Sequence, residues 1–327
     1  MICAQRLSES DLSILLIEKD SVFGDKVCAG GLTRKDLGVI AIPDDIIQQK
    51  VTRTSLHSPK RSSSAEMSEP IVVTVNRKDL GRWQRLLLDN NRVTVRTDTR
   101  VTEVRADHIL LKDGTPIGFR HLVGADGFAS VVRRYLGFPQ EKVMMGIQYL
   151  VPVPGLDPRL EIFLDSKNFC SWYAWKFPHR DMLSVGCGCD PRYYSTKKLK
   201  ENFSKWLVKQ SIDTSNATYQ SAPISYDYRG LKFGNKYLVG DAAGIASGLT
   251  GEGIYQSLVT GIEVARYLMG ETEVSEEMKF VLRYNRIQHR ALKFLIRIGP
   301  LRSLVFELII MLMNNKRFKY KVNNGFS

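Results

Sequence analysis

Short apolar runs that end in small or acidic residues mark the strands of this chain. SILLI (13–17), the start of HLVGADG (121–127) and YLV (237–239) are continuous apolar runs, a pattern typical of buried strands. VTVRT, RVTEV and HILLK alternate between apolar and polar residues, which predicts a meander with Asp113-Gly114 as a turn. Further strands are predicted at IVVTV (71–75), MMGIQYLV, LEIFL, SWYAWKF, MLSVGCG and 218–226.

Helical spacing predicts the remaining elements. The tail of a helix is predicted at 4–7, and longer helices at about 76–88, 129–136 and 196–209. Past Gly253 the pattern is helical almost to the end of the chain, with a break at Gly299-Pro300. Strands and helices therefore alternate around a long stretch of strands. This order predicts an α/β fold with a β-rich second domain and a helical tail.

The same alternation gives the expected domain boundaries. Residues 1–140 and 230–272 are predicted to form a discontinuous nucleotide-binding domain, which includes some strands of the second domain near 45–75. The β-rich domain, expected to bind substrate, covers 141–229. A helical and basic tail covers 273–327.

Composition and charge narrow the class of protein. The chain has 327 residues, of which 43% are hydrophobic and 25% charged, as in a globular protein with a large core. The net charge is +13, and between Lys279 and Lys321 eleven Lys or Arg residues accompany one acid. Such a tail is typical of proteins that contact membrane headgroups, nucleic acid or phosphorylated ligands. A solvated basic face without a partner is the plain alternative.

Several functional classes are excluded. The five cysteines have no framework spacing, which indicates a reducing compartment and predicts a cytoplasmic protein. The five scattered histidines pair with no Cys-x-x-Cys stretch, so we expect no metal site. The sequence has no Gly-x-Ser-x-Gly elbow, no P-loop and no signal-peptide pattern. No apolar run reaches the roughly 18–20 residues that span a bilayer.

The main candidate for chemistry is the crossing from YLV into the helix after Gly253. Gly240-Asp241 places one carboxylate at the carboxyl end of a predicted strand, where α/β sheets bind ligands. A loop of small residues follows, and Gly251-Glu252-Gly253 opens a helix whose free N–H groups favour phosphate or developing negative charge. Asp241 suits a polyol hydroxyl. A glycine-rich turn that serves only tight packing is the alternative.

Two further segments follow the same logic. The stretch Gly-Ala-Asp-Gly at 124–127 joins a predicted strand to a helix, and Glu18 ends the first predicted strand. In a dinucleotide-binding βαβ unit, such an acid contacts ribose about 20 residues after the glycine-rich turn. Counting back from Glu18 puts that turn before Met1. We therefore expect the first strand and its phosphate loop to be absent from this chain. The explanation we favour is that the start codon is assigned too late, and the alternative is that the product has decayed.

Together these segments resemble the flavoproteins of the p-hydroxybenzoate hydroxylase fold. Two more stretches resemble the geranylgeranyl reductases within that group. KVCAGG (26–31) is similar to their Lys-x-Cys-x-Gly-Gly stretch, and YAWKFP (173–178) matches their Tyr-x-Trp-x-Phe-Pro signature. The resemblance extends from Ala4 into the helical tail. It implies a Rossmann-like FAD-binding domain, truncated at its amino end, and a reduced flavin that donates hydride to isoprenoid double bonds.

The resemblance also implies roles for individual residues. Those implied for FAD binding are Glu18 at the adenosine ribose with Lys19 beside it, Arg77 at the phosphate or ribityl side, Asp241 at the ribityl or pyrophosphate side, and Asp126, Gly127, Gly240, Gly251 and Gly253. Those implied near the substrate are Cys28 as proton donor, its neighbours Gly30 and Gly31, and the tunnel residues Tyr173, Trp175, Phe177 and Pro178. The Tyr-x-Trp-x-Phe spacing puts three rings on one face of a strand, which suits a dry apolar channel. Ordinary core packing is the alternative for these rings and for Cys28.

The predicted function is FAD-dependent reduction of prenyl C=C bonds in a prenylated lipid. A flavin monooxygenase of the same fold is one alternative, and a non-catalytic prenyl-lipid-binding or decayed product is another. We expect NAD(P)H or a small redox protein as electron donor. Nucleic acid is not expected as a partner, because the basic residues alternate with aliphatic side chains. The apolar and basic residues of 294–321 predict peripheral contact with an anionic membrane surface, or equally burial against the protein body.

Overall fold

The computed structural model describes residues 1–155 and 157–314. Its strands are β1 (Ile14–Ile17), β2 (Gly31–Thr33), β3 (Ile47–Val51), β4 (Arg53–His57), β5 (Ser62–Glu66), β6 (Val72–Val75), β7 (Val93–Arg96), β8 (Val101–Val104), β9 (His108–Leu111), β10 (Pro116–Gly118), β11 (Leu122–Gly124), β12 (Val143–Pro152), β13 (Arg159–Phe163), β14 (Ala174–Pro178), β15 (Met182–Cys189), β16 (Thr218–Ser225), β17 (Lys232–Phe233) and β18 (Lys236–Leu238). Its α-helices are α1 (Ile2–Leu7), α2 (Arg34–Val39), α3 (Arg77–Leu86), α4 (Val131–Tyr135), α5 (Ser166–Phe169), α6 (Thr196–Lys209), α7 (Gly240–Ala243), α8 (Ile254–Leu268), α9 (Glu276–Arg297) and α10 (Arg302–Met313). The predicted α/β class is confirmed.

The strands that lead into Glu18, Asp126 and Asp241 form parallel pairs. β1 pairs with β7, and β11 pairs with β18, which β17 joins in the antiparallel direction. No described strand pairs with the other edge of β1 or of β11. The prediction that VTVRT begins the meander is wrong, because it forms β7 beside β1 and the meander consists of β8, β9 and β10. Alternating apolar and polar residues show which face of a strand is buried, but not which strand it pairs with.

The middle of the chain forms one seven-stranded sheet in the order β16-β12-β15-β14-β13-β4-β5. β4 and β5 come from the first 70 residues, so the amino-terminal part of the chain contributes to this sheet. Helix α6 covers it with aromatic side chains. The Trp206 ring lies edge-on to Phe163 and Phe169, with ring centroids 5.0 and 5.7 Å away. The short helix α5 was not predicted, since four residues after Asp165 carry no helical period.

The carboxyl-terminal region is helical, with one interruption more than predicted. The chain turns between α8 and α9, where Gly270 has a φ of +101° and Ser275 Oγ caps α9 by accepting a hydrogen bond from Met278 N (3.2 Å). The predicted break at Gly299-Pro300 is confirmed by a 3₁₀ turn at Gly299–Leu301. α8 contacts α1, α2, α7 and α9, which hold it from several sides. The part of the predicted tail beyond residue 314 lies outside the described residues.

Candidate functional site

Three of the motifs found in the sequence meet at one junction. The loop 24–30 reaches α7 through an ion pair between Lys26 and Asp241. The turn before β14 reaches the loop 244–253, because the Tyr173 hydroxyl donates a hydrogen bond to a backbone carbonyl oxygen of that loop. Burial raises the pKa of Tyr173, so this hydroxyl stays protonated and can donate. The glycine-rich crossing, the cysteine loop and the aromatic strand therefore form one site.

The crossing from β18 to α8 surrounds a buried carboxylate. Asp241 lies at the start of α7, and its side chain is 7% exposed. Gly240 has a φ of +55°, and a Cβ there would lie 2.9 Å from Ser257 Oγ on α8. Gly251 has a φ of +70°, and a Cβ there would lie 2.6 Å from Met144 Cε. Gly240 therefore allows α7 to approach α8 closely, and Gly251 allows the loop before α8 to lie against Met144 on β12.

The start of α8 is open to a ligand. This 15-residue helix follows Gly253, and no side chain caps its first turn. Its first N–H groups therefore lack intrahelical partners and favour negative charge. A Cβ at Gly253 would lie 3.8 Å from Asp241 Oδ1, so the carboxylate is beside the helix start. The site offers hydrogen-bond donors and an acceptor next to each other.

Lys26 is part of this site, although no role was predicted for it. Its ammonium group pairs with Asp241 Oδ2, and its side chain is 49% exposed while that of Asp241 is buried. A ligand that enters here meets a positive and a negative group side by side. The pair joins residues 215 positions apart, and the only signal for it was the place of Lys26 in the stretch 26–31.

The loop that carries Cys28 is fixed by hydrogen bonds. Gly30 N donates to Cys28 Sγ at 3.3 Å, and Gln148 Nε2 donates to the Cys28 carbonyl oxygen at 3.2 Å. His179 Nε2 lies 3.0 Å from the Ala29 carbonyl oxygen, to which it donates. Burial lowers the pKa of His179, which favours the neutral ring. The loop geometry is thus set from the sheet, while the proton-donor role of Cys28 stays a prediction.

Three aromatic rings follow one another along β14 and the residue before it. The Tyr173 and Trp175 rings lie edge to face with centroids 6.1 Å apart. The Trp175 ring crosses Gly186 on β15, where an added Cβ would lie 2.2 Å from it. The Phe177 ring covers Gly31, where an added Cβ would lie 2.4 Å from it. The Phe177 ring therefore lies at the end of the cysteine loop and the Trp175 ring lies against β15. The contact of these rings with substrate stays a prediction.

A chain of hydrogen bonds crosses the sheet beside these rings. Trp175 Nε1 donates to Ser184 Oγ at 3.3 Å, and Ser184 Oγ donates to Gln148 Oε1 at 3.1 Å. Gln148 Nε2 also donates to Gln220 Oε1 at 2.8 Å. Ser184 and Gln148 are buried, so these contacts fix the Trp175 indole. Pro178 ends the strand as a buried residue whose predicted contact with substrate is untested.

The residues predicted for the adenosine and phosphate end lie after β1 and at the start of α3. Glu18 Oε1 accepts from Asp20 N at 3.1 Å, and Lys19 pairs with the Asp20 carboxylate. Arg77 begins α3, and its Nε is buried without a hydrogen-bond partner among the described residues. A buried unpaired N–H group is costly, so Arg77 is suited to an anionic or carbonyl ligand. An added Cβ at Gly24 would lie 2.1 Å from the Arg77 carbonyl oxygen, which places α3 against the cysteine loop.

Asp126 and Gly127 have local structural contacts instead. Asp126 Oδ2 accepts from a backbone N–H at the start of α4 (2.7 Å), and Gly127 has a φ of +73° in open space. No role was predicted for Arg133 on α4, although it is buried and connects the helix after the 124–127 stretch to the segment that carries Asp241. It donates to the Ala242 carbonyl oxygen at 3.2 Å and pairs with buried Asp227 at 3.1 Å. The cofactor contacts predicted for Asp126 and Gly127 stay predictions.

Trp172 is a second buried residue that the sequence did not single out. Its Nε1 donates to the Gly248 carbonyl oxygen at 2.8 Å, and the side chain is 1% exposed. A Cβ at Gly248 would lie 2.5 Å from the Tyr226 ring. The loop after α7 is therefore held between two aromatic side chains. The sequence did contain a signal for Trp172, since this residue immediately precedes the aromatic stretch 173–178.

Glu252 is a titratable group between the two glycines of the loop. Burial raises the pKa of Glu252, the Asp36 carboxylate raises it further, and Lys35 opposes the shift. Burial also raises the pKa of Asp36, whose Oδ1 is buried without a hydrogen-bond partner among the described residues. Two carboxyl groups beside the site thus hold protons at a higher pH than ordinary acids do.

Glu252→Gln is expected to increase the free energy of unfolding at neutral pH. In the folded chain the carboxyl keeps its proton above the ordinary value of 4.5, whereas the unfolded chain releases it. The unfolded state then binds fewer protons, so stability falls as the pH rises through the window between the two pKa values. Gln stays neutral and removes this loss. Urea unfolding between about pH 5 and pH 8 measures the effect.

The matched control is Glu201→Gln on the exposed face of α6. It should leave the dependence of unfolding free energy on pH unchanged. If Glu252→Gln changed stability by the same amount at both ends of this pH range, the raised pKa of Glu252 would be wrong.

Comparison with known proteins agrees with this geometry. A digeranylgeranylglycerophospholipid reductase of Methanocella arvoryzae is 26% identical over 80% of this chain and 72% of its own length. A geranylgeranyl diphosphate reductase of Rhodobacter capsulatus is 24% identical over 80% of this chain and 70% of its own. A geranylgeranyl bacteriochlorophyll reductase-like protein of Thermoplasma acidophilum superposes with a TM-score of 0.80 at 17% identity, over 96% of this chain and 88% of its own. No protein-family model matches the chain.

The fold is shared more widely than the sequence. A probable FAD-dependent monooxygenase of Pseudomonas aeruginosa superposes with a TM-score of 0.63 at 17% identity, over 94% of this chain and 93% of its own. The chain thus has the fold of FAD-dependent oxidoreductases. Within that class its sequence resembles the geranylgeranyl reductases, and the resemblance predicted from the motifs is confirmed. None of the helices in the described part of the chain is long and apolar enough to cross a membrane.

Proposed function

We propose that this chain is an FAD-dependent reductase that adds hydrogen across the C=C bonds of prenyl groups in lipids. The observation that carries the proposal is the meeting of two features. One is the Asp241 carboxylate beside the uncapped start of α8. The other is the row of rings formed by Tyr173, Trp175 and Phe177, in which Phe177 covers Gly31 directly after the cysteine loop. The first suits a nucleotide cofactor, and the second suits an apolar chain.

The side chains present fit FAD. Arg77 has a buried Nε without a partner among the described residues, which suits a phosphate or carbonyl oxygen. Asp241 and Lys26 would bind hydroxyl and phosphate groups, and Glu18 would bind the adenosine ribose. The first turn of α8 would face the part of the cofactor that becomes negative. When bound, FAD supplies the hydride that the protein side chains cannot provide.

The chain itself would bind the prenyl group, exclude water and hold a proton. Trp175 and Phe177 provide a flat apolar surface, and the hydrogen bonds of Ser184 and Gln148 fix its orientation. Cys28 is the proposed donor of the proton that follows the hydride. Glu252 is a second group able to hold a proton at a higher pH than an ordinary glutamate, because burial raises its pKa. The alkene would gain one hydride, which bound reduced FAD would supply, and one proton, which a protein side chain would supply.

The test starts from an absorbance spectrum of the protein purified with added FAD. The bound flavin is then reduced with dithionite without oxygen, and geranylgeranyl diphosphate or digeranylgeranylglycerophospholipid is added. We expect flavin oxidation on mixing, and a product that gains two hydrogens for each reduced double bond by mass spectrometry. Cys28→Ala should slow this step by about 100-fold or more if Cys28 donates the proton.

Two other results would replace the proposal. Oxidation of the flavin only in the presence of oxygen, with a product that gains an oxygen atom, would indicate a monooxygenase. The structural likeness to the probable FAD-dependent monooxygenase supports this second candidate. A protein that binds the prenyl lipid but no FAD would be a lipid-binding protein.

A further inference from the structure

The outer face of α10 is apolar. Leu304, Leu308 and Met311 follow at spacings of four and three residues, so they share one side of the helix. They are 64%, 49% and 49% exposed, and Leu301 just before the helix is 59% exposed. The exposed side of a surface helix is ordinarily polar. A continuous exposed apolar surface marks a site of interaction.

The opposite side of α10 is packed on the protein. Phe306 and Ile310 are buried there. Both charged residues of the helix also turn away from the outer face. Glu307 pairs with Arg61 at 3.0 Å, and Arg302 donates to a serine hydroxyl of a neighbouring turn at 2.9 Å. One side of this helix therefore packs against the body, as one of the two expectations for the segment has it, and the other side presents an uncovered apolar face.

The second half of α9 adds positive charge and two apolar side chains. Its exposed residues are Arg283, Arg286, Ile287, Arg290, Lys293, Phe294 and Arg297. Ile287 and Phe294 are 57% and 55% exposed. From residue 278 to residue 314 the sequence has a single acid, Glu307, and that acid is paired. A surface of basic residues with apolar ones between them complements anionic headgroups above an apolar layer.

We propose that the outer sides of α9 and α10 form a docking surface for a membrane of anionic phospholipid. The apolar side chains of this α9–α10 surface would enter the acyl boundary, and the basic ones would contact headgroups. The surface is fixed on the body, because Met313 O accepts from Ser63 Oγ at 3.1 Å. It borders the segment leading into β14, since Arg302 also donates to Cys170 Sγ at 3.0 Å. The inference does not depend on the proposed reaction.

The test is co-sedimentation of the full chain with sucrose-loaded vesicles. One vesicle type is phosphatidylcholine alone, and the other contains phosphatidylglycerol as a third of its lipid. We expect binding to the anionic vesicles that weakens with added salt. Leu304→Ser with Leu308→Ser should weaken it by about tenfold. Arg290→Gln with Arg297→Gln should weaken it by about tenfold and reduce the salt dependence.

Matched controls use residues outside this surface. Leu86→Ser with Val208→Ser changes two side chains that are 81% and 79% exposed, and it should leave vesicle binding unchanged. Lys112→Gln with Lys197→Gln removes two exposed charges elsewhere and should have less effect than the arginine pair. Absence of binding to anionic vesicles, or equal binding by the leucine pair and wild type, would overturn the proposal. So would a dimer in solution that the leucine pair dissociates without any vesicle binding, because the face would then join two copies.

Discussion

Asp241→Ala is expected to remove bound FAD from the purified protein. The change deletes the carboxylate beside the start of α8 and leaves Lys26 without its partner. Loss of one partner of a buried charged contact costs about 2–5 kcal/mol of binding energy. At the lower limit this is about a thirty-fold rise in the dissociation constant. The measurement is the ratio of flavin to protein absorbance after gel filtration, followed by titration with FAD.

The fold itself should survive this substitution. The Lys26 side chain is 49% exposed, so its ammonium group stays hydrated after the carboxylate is removed and no buried charge is left without a partner. Asp157→Ala is the control, since it removes an acid that is 54% exposed and pairs with Arg53. Full retention of FAD by Asp241→Ala would remove Asp241 from the cofactor site. Loss of FAD by Asp157→Ala would mean that the assay reports general destabilisation.

A helix or strand is predicted well when the spacing of apolar residues within that element is enough to determine it. The predicted helix 196–209 matches α6 at both ends, because Leu199, Phe203 and Trp206 recur on one side and are buried in the sheet. The partner of β7 could not be predicted in this way. Val93 and Val95 alternate equally well beside β1 or in a meander, and only the tertiary fold distinguishes the two. The turn at 269–275 was missed because Gly270 alone is a weak signal for the end of a helix.

The same distinction between local sequence signals and tertiary contacts applies to the candidate site. Gly240 and Gly251 could be found from the sequence, because a positive φ and a close neighbour, Ser257 for one and Met144 for the other, require glycine at these positions. The contacts that complete the site could not be predicted from the sequence. Lys26 with Asp241 and Gln148 with Cys28 join residues 215 and 120 positions apart. Their residue types are common and no local period connects them, so their pairing exists only in the folded chain.

Gly186→Ala is expected to reduce prenyl turnover by about 100-fold while FAD remains bound. The added Cβ would lie 2.2 Å from the Trp175 ring and 2.6 Å from the Ile147 carbonyl oxygen, so both the indole and the adjoining strand backbone must move. Displacement of a positioning group by about 1 Å can cost such a factor. Gly186 lies on β15, away from Asp241 and α8, so the flavin absorbance should not change. The measurement is the rate at which prenyl substrate oxidises the reduced flavin.

Gly146→Ala is the matched control on the neighbouring strand β12. A Cβ there would meet its nearest atom at 3.7 Å, so it fits without movement and turnover should be unchanged. Trp175→Ala removes the ring without adding an atom. If Gly186→Ala does not fold, this variant tests whether prenyl turnover depends on the Trp175 ring. Normal turnover in a folded Gly186→Ala or Trp175→Ala protein would show that this ring is core packing. Loss of turnover in both, with FAD retained, would assign the Trp175 ring to the reduction step, either at the substrate or through the Ser184 and Gln148 hydrogen bonds that reach the Cys28 loop.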